Sequence, residues 1–233
     1  MERSIQQNAV LSLLDVAGVA ALAKCIRINR EYQRVDMARN DAVKTFLKNT
    51  KDDGDVLVML DCDHIYPRDI VPALAQSCDA EHEVVGALAF RRSLPHDPVF
   101  YTFNDAGHVD VPTAFTPGLA RCDIVGTGSI AIRRSVFTKL DAAGFPWPYF
   151  RFTYQDGMEH DIQRTEDWNF GLNCKAAGIS HWVNQDVMIP HLTVKQVTPE
   201  DWFATLREAD SDPAAFETKF SKLGMTFDKA KAE

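Results

Sequence analysis

A layered α/β domain is the fold class this sequence predicts, and three observations point there. "DVLVML" (55–60) is a short run with apolar residues on both faces, as expected of a strand inside a parallel sheet. "PRDIVPALAQSC" follows with helical spacing, and "EVVGALAF" after it is a second buried strand, completing a strand–helix–strand unit. The 233 residues, 45% hydrophobic and 25% charged, are enough to bury a large core in one domain.

The remaining elements follow in order. "QNAVLSLLDVAG" places Val10, Leu13, Leu14 and Ala17 at helical spacing and stops at Gly18. "AALAKCIRIN" leads into "EYQRVDMARNDAVKTFLKNT", where Val43, Phe46 and Leu47 share a helical face. Pro67 stands near the first turn of the helix after "DVLVML". Residues 93–121 are irregular, with a hairpin in "PVFYTFNDAGHVDVP" that turns at Asp105-Ala106-Gly107. "CDIVGTGSIAIRRSVFTKLDAAG" reads as strand, glycine turn, strand and helix. Residues 144–164, rich in aromatic, proline and charged residues, form a loop. "TEDWNFGLNCKAAG" is a helix with Thr165 as N-cap and Gly178 as its stop. "ISHWVNQDVMIPHLTV" is a last extended segment, and a charged tail, helical over "PEDWFATLREA", begins at Thr198. The chain therefore divides into a domain over 1–196 and a tail over 197–233.

Charge and cysteine content narrow the function classes. With 25 Lys and Arg against 33 Asp and Glu, the net charge is −8, which argues against a general nucleic-acid binder. A local cationic pocket for a phosphorylated small molecule stays compatible with that balance. The five cysteines (Cys25, Cys62, Cys78, Cys122 and Cys174) form no CxxC pair and read as reduced core thiols of a cytoplasmic protein. The first eighteen residues carry charge and glutamines without a small-residue cleavage site, so no signal peptide is read there. No apolar run reaches the roughly 18 residues that a membrane span needs.

The residues that can carry chemistry lie at the ends of these elements. Asp61 and Asp63 stand at i and i+2 after a buried strand, where ligands of open α/β sheets bind. Either they hold a divalent cation against phosphate oxygens, or they are turn acids, with Asp63 or His64 capping the next helix. Glu166 and Asp167 open a helix, where the macrodipole favours acids in any case; the functional reading makes Asp167 a general base or acceptor anchor. His191, after the last strand, is either structural or the nitrogen partner of the two aspartates in a set that suits Mn²⁺. Gly126 and Gly128 flank Thr127 in "VGTGS", a tight turn or a place where backbone approaches a sugar or phosphate. Arg39 either meets a nucleotide phosphate or base, or pairs on the surface with Asp36 or Asp41.

In order, "DMARNDAVKTFL", "DVLVMLDCDHIYPRDIVPAL", "EVVGALAFRR", "DIVGTGSIAIRRSVF", "TEDWNFGLNCKAAGI" and "MIPHLTV" resemble a glycosyltransferase of the GT-A fold. They are most similar to the family 2-like enzymes of bacteria and their viruses, over roughly residues 8 to 195. The resemblance implies a Rossmann-related, mixed, mostly parallel sheet flanked by helices in a single domain. It implies that Asp61 and Asp63 match the DxD motif that holds Mn²⁺ or Mg²⁺ against a nucleotide diphosphate sugar, and that His191 matches the C-terminal metal-binding histidine. It implies too that Asp36, Arg39 and Lys195 join Asp61 in binding the donor, that Thr127 and Gly128 line the transferred sugar, and that Asp167, beside Glu166, matches the base of inverting members.

The expected activity is transfer of a sugar, from a UDP-sugar by preference, to a saccharide or other hydroxyl acceptor. The aromatics Phe145, Trp147, Tyr149, Phe150, Phe152 and Tyr154 either stack on that acceptor or pack into their own loop. Family members usually open with an apolar strand that cups the nucleotide base, whereas this sequence begins at the following helix. Either the sequence is a fragment, or another segment or subunit supplies the strand, or the fold is rearranged; an exposed strand edge there would favour association between subunits. The alternative reading is a non-catalytic or partner-dependent nucleotide-sugar binding protein. A third, an aspartate-nucleophile phosphohydrolase, fits "LDCD" after a strand but finds no later Lys and acidic block.

Overall fold

Residues 16, 34–154, 162–192 and 196–214 are described by the computed structural model. Chain order runs α1 (Val35–Asn49), β1 (Val56–Leu60), α2 (Ile70–Ser77), β2 (Val84–Ala89), β3 (Phe100–Phe103), β4 (Val109–Asp110), β5 (Leu119–Cys122) and β6 (Ile124–Val125). It continues with β7 (Ser129–Arg133), α3 (Arg134–Ala142), β8 (Thr153–Tyr154), β9 (Ile162–Arg164), α4 (Glu166–Ala176), β10 (His181–Ile189), β11 (His191–Leu192), β12 (Gln196–Val197) and α5 (Pro199–Ser211).

The central sheet has five strands in the order β1-β7-β2-β10-β5. It is mixed, as expected, but its neighbours are not mostly parallel: β2 and β10 are, while β1–β7, β7–β2 and β10–β5 are antiparallel. β7 lies between β1 and β2, antiparallel to both, and so separates the two strands of the strand–helix–strand unit. Because β7 opposes both, β1, β2 and β10 still run in one direction. Their carboxyl ends, and the start of β7, therefore share one edge of the sheet.

Apolar residues on both faces of the strands bury two layers. On one face Leu57, Met59, Ile130, Ile132 and Val183 pack with Val43 and Phe46 of α1, Val136 and Phe137 of α3, and Phe170 of α4. On the other, Val85, Ala87, Ala131 and Ile189 pack with Ile70 and Leu74 of α2 and with Val16. Burial of this many branched and aromatic side chains, at roughly 1.5–3 kcal/mol each, is what holds the sheet edge rigid.

The hairpin expected at Asp105–Gly107 is present, with β3 antiparallel to β4 and Gly107 at φ +77°. Thr165 precedes α4 as its N-cap residue and Gly178 follows it at φ +74°, in the left-handed conformation that ends helices. The tail's first helix, α5, is docked: Trp202 is fully buried in the main core, with Leu206 beside it. The "QNAVLSLL" helix, "AALAKCIRIN" and Lys195 lie outside the described residues. Among the described residues β1 is an edge strand. No helix among them is long and apolar enough to cross a membrane.

Candidate functional site

The shared edge gathers the end of β1 (Asp61, Asp63, His64), the residues after β2 (Arg91, Arg92), the turn before β7 (Thr127, Gly128) and the β10–β11 junction (His191). Backbone bonds lock these segments together. Asp61 N–H donates to the Gly128 carbonyl at 2.8 Å, Leu192 N–H to that of Asp63 at 2.7 Å, and Ile65 N–H to that of Pro190 at 3.0 Å. The buried Tyr66 hydroxyl donates within reach of both the Asp61 carbonyl (2.6 Å) and the Gly128 carbonyl (3.0 Å), pinning the loop to the turn.

Two centres form on this frame. In the first, Arg39 of α1, almost fully buried, reaches Asp61 Oδ1 and Oδ2 at 3.1 and 2.9 Å. Its other terminal nitrogen pairs with Glu166 at the start of α4, which is also buried. Burial pushes the Glu166 carboxyl above its ordinary pKa; Arg39 opposes that shift, and Asp167 adds to it. Arg39 therefore meets neither of its expected surface partners. Asp36 pairs instead with Arg34 at 2.7 Å, and Asn40 holds the backbone of Phe150 through Nδ2 (2.7 Å) and Oδ1 (3.1 Å).

In the second centre Asp63 sits between two imidazoles. His191 Nε2 lies 3.3 Å from Asp63 Oδ2, and His64 Nδ1 lies 3.1 Å from Asp63 Oδ1. The rings stack, with centroids 4.1 Å apart and planes at 19°. Burial works to raise the Asp63 pKa, but the His191 and His64 contacts outweigh it and hold the carboxyl well below the usual range. Arg92, 55% exposed, adds a cation 3.3 Å from Asp63 Oδ2. Donor atoms of Asp63, His64 and His191 all lie within 4.8 Å of one another, a spacing that can enclose a metal ion. One carboxylate and two imidazoles fit a first-row divalent cation. The Asp61 carboxylate, expected in the same set, is turned to Arg39 instead.

Gly128 serves this centre by lacking a side chain: a Cβ there would stand 2.8 Å from His64 Cε1. Thr127 is buried. Asp167 is only partly buried, and its Oδ1 accepts from the Thr165 hydroxyl and, at 2.8 Å, from the Trp168 N–H. The Thr165 side chain thus bonds Asp167 and makes no hydrogen bond that caps the helix backbone.

Of the aromatic loop, Tyr149 and Phe150 are buried in the core and Trp147 is exposed beneath Lys44. Phe152 and Tyr154 line a hollow of about 390 Å³ with Arg151, Thr153, Asn169 and Asn173, on the flank of α4 one turn and more beyond Glu166.

His64 and Arg92 are the members of the site that sequence reasoning left out. Their signal was positional: each follows a doubly apolar strand whose carboxyl end lies on the same edge as Asp61. Arg91, Asp97 and Tyr101 form a further ion-pair and hydroxyl cluster behind Arg92, with Arg91 Nε 3.1 Å from Asp97 Oδ1 and Tyr101 donating to Asp97 Oδ2 at 3.0 Å.

No protein-family model matches the chain, and a search of curated proteins finds no relative. Among solved structures the chain is similar to A197 from STIV, with a TM-score of 0.52 and 16% identity over 81% of this chain and 84% of that one. Apo UDP-glucose pyrophosphorylase matches at a TM-score of 0.38 and 9% identity, over 81% of this chain and 65% of that one. The first likeness is one of fold; the second is too loose to show even that.

Proposed function

We propose that the chain is a metal-dependent glycosyltransferase that takes a nucleotide diphosphate sugar, by preference a UDP-sugar, and inverts the anomeric centre as it transfers the sugar to a hydroxyl acceptor. The observation that carries this reading is Asp63 meeting His191 at the carboxyl end of a parallel-directed strand set, with Arg92 beside it and Asp167 next to Glu166, which Arg39 ties to Asp61.

Asp63 and His191 would hold Mn²⁺, or Mg²⁺ in its place. The ion would supply positive charge to offset what builds on the departing nucleoside diphosphate. Arg92, exposed and already drawn to this edge, supplies a second cation for the diphosphate oxygens. Asp167 takes the proton from the acceptor hydroxyl. Its bonds from Thr165 and Trp168 fall on Oδ1 and fix the carboxylate so that Oδ2 can face that hydroxyl. Glu166 and Arg39 hold α4 against Asp61 and so set where Asp167 stands.

The test is thermal unfolding with a panel of nucleotide sugars, with and without Mn²⁺. Metal-dependent stabilisation by a UDP-sugar, abolished in Asp63→Ala, is expected; a panel without any metal-dependent shift would sink the reading. Sugar release from the stabilising donor, measured with candidate acceptors, then separates an enzyme from a binding protein.

A further inference from the structure

We infer that His64 is a third metal ligand beside Asp63 and His191, and that the two-imidazole, one-carboxylate set selects Mn²⁺ and Co²⁺ over Mg²⁺. The inference rests on the metal-dependent reading above and adds to it a ligand and a selectivity.

The placement of the ring nitrogens carries the assignment. His191 Nδ1 lies 3.0 Å from the Phe90 carbonyl, which can only accept, so Nδ1 carries the hydrogen. Nε2, the other nitrogen of that ring, faces Asp63 Oδ2 at 3.3 Å. On the other oxygen a second imidazole stands as close. His64 is almost fully buried, and its Nδ1 and Asp63 Oδ1 are buried atoms that make no hydrogen bond, although they stand only 3.1 Å apart. Donor atoms of three side chains thus converge on one small volume, all within 4.8 Å of one another, where a metal ion can be held.

The surroundings fit the same assignment. A ligating histidine commonly donates its second N–H to a backbone carbonyl, which fixes the tautomer, and Phe90 supplies that carbonyl to His191. Gly128 leaves the space that His64 fills. Both rings already bring a nitrogen within 4.8 Å of the Asp63 donor atom and of each other, and His191, at 16% side-chain exposure against 4% for His64, is the more open of the two. Mg²⁺ keeps water and oxygen ligands in near-ideal octahedra, whereas imidazole suits the later first-row ions. A second imidazole therefore moves preference away from Mg²⁺.

Titrating the protein with Mn²⁺, Co²⁺ and Mg²⁺, without nucleotide sugar, tests this directly. Affinity should follow Co²⁺ over Mn²⁺ over Mg²⁺, and electron spin-echo spectra of the Mn²⁺ complex should show two imidazole nitrogens. His64→Phe keeps an aromatic ring on the stack and removes the nitrogens. It should weaken Mn²⁺ and Co²⁺ by about tenfold or more, change Mg²⁺ far less, and leave one imidazole in the spectrum. One imidazole in the wild-type spectrum, or unchanged affinities in His64→Phe, overturns the third ligand and leaves the transferase reading standing. A wild type that binds none of the three ions overturns both.

Discussion

Asp61 and Asp63 stand two residues apart after the same strand, yet the centres around them differ in kind. Around Asp61 the charges close: both oxygens lie on Arg39, and the opposite side of Arg39 is taken by Glu166. Around Asp63 they stay open, with one oxygen against each of two imidazoles and an exposed arginine at the rim. Two carboxylates of one short motif can therefore do separate work. One ties α1 and α4 to the sheet edge; the other offers donor atoms where the strands end.

The strongest way to break this comparison is at Arg39. Replacing it by Met leaves the buried Glu166 carboxylate without its cation, which should cost about 3–5 kcal/mol in urea unfolding. Arg39→Met combined with Glu166→Leu should recover most of that loss, because the destabilisation comes from the orphaned charge. If the single variant is as stable as the wild type, the closed centre is not structural.

A control away from both centres is His181, at the start of β10 and stacked on Phe170. Burial lowers its pKa from 6.5 to about 4, with Asp123 opposing the shift. Between those values the unfolded chain binds a proton that the folded chain does not, so stability must fall as pH drops through that window. The loss should reach ~3 kcal/mol near the lower end. Urea unfolding at about pH 7 and about pH 4.5 should show it, and His181→Leu should flatten that acid limb.

Gly128→Ala sharpens the open centre. The added methyl meets the buried His64 ring at 2.8 Å, so that ring or the backbone must shift, at about 1–3 kcal/mol. Calorimetry should find Mn²⁺ binding weakened as well. The smallest effect expected is that of Asp61→Asn on metal affinity. If Asp61 belongs to Arg39, the Mn²⁺ dissociation constant should change by less than about tenfold, or ~1.4 kcal/mol. A loss as complete as that of Asp63→Ala would return Asp61 to the metal set.

Local patterns made much of the scaffold legible. The doubly apolar runs became β1 and β2, the glycine turn separated β6 from β7, and Gly178 ended α4. What local pattern could not carry was strand adjacency. Nothing in "SIAIR" says that it lies between β1 and β2, because backbone pairing is the same chemistry for any apolar strand. The tail was legible as a helix, but whether Trp202 anchors it in the core depends on a cavity that distant elements build.

Within the candidate site, residue types and element ends were readable, and partners were not. The sequence by itself determined an α/β chain with acids after a buried strand, acids opening a late helix and a histidine after the last long strand. Each follows from apolar periodicity and from where polar residues interrupt it. Only the tertiary structure decided that Arg39 joins Asp61 to Glu166 and that Asp63 lies between His64 and His191. Two of those contacts, Arg39 with Glu166 and Asp63 with His191, link residues 127 and 128 positions apart. Such pairings are set by how the sheet orders its strands, a property of the packed whole that no local stretch of sequence encodes.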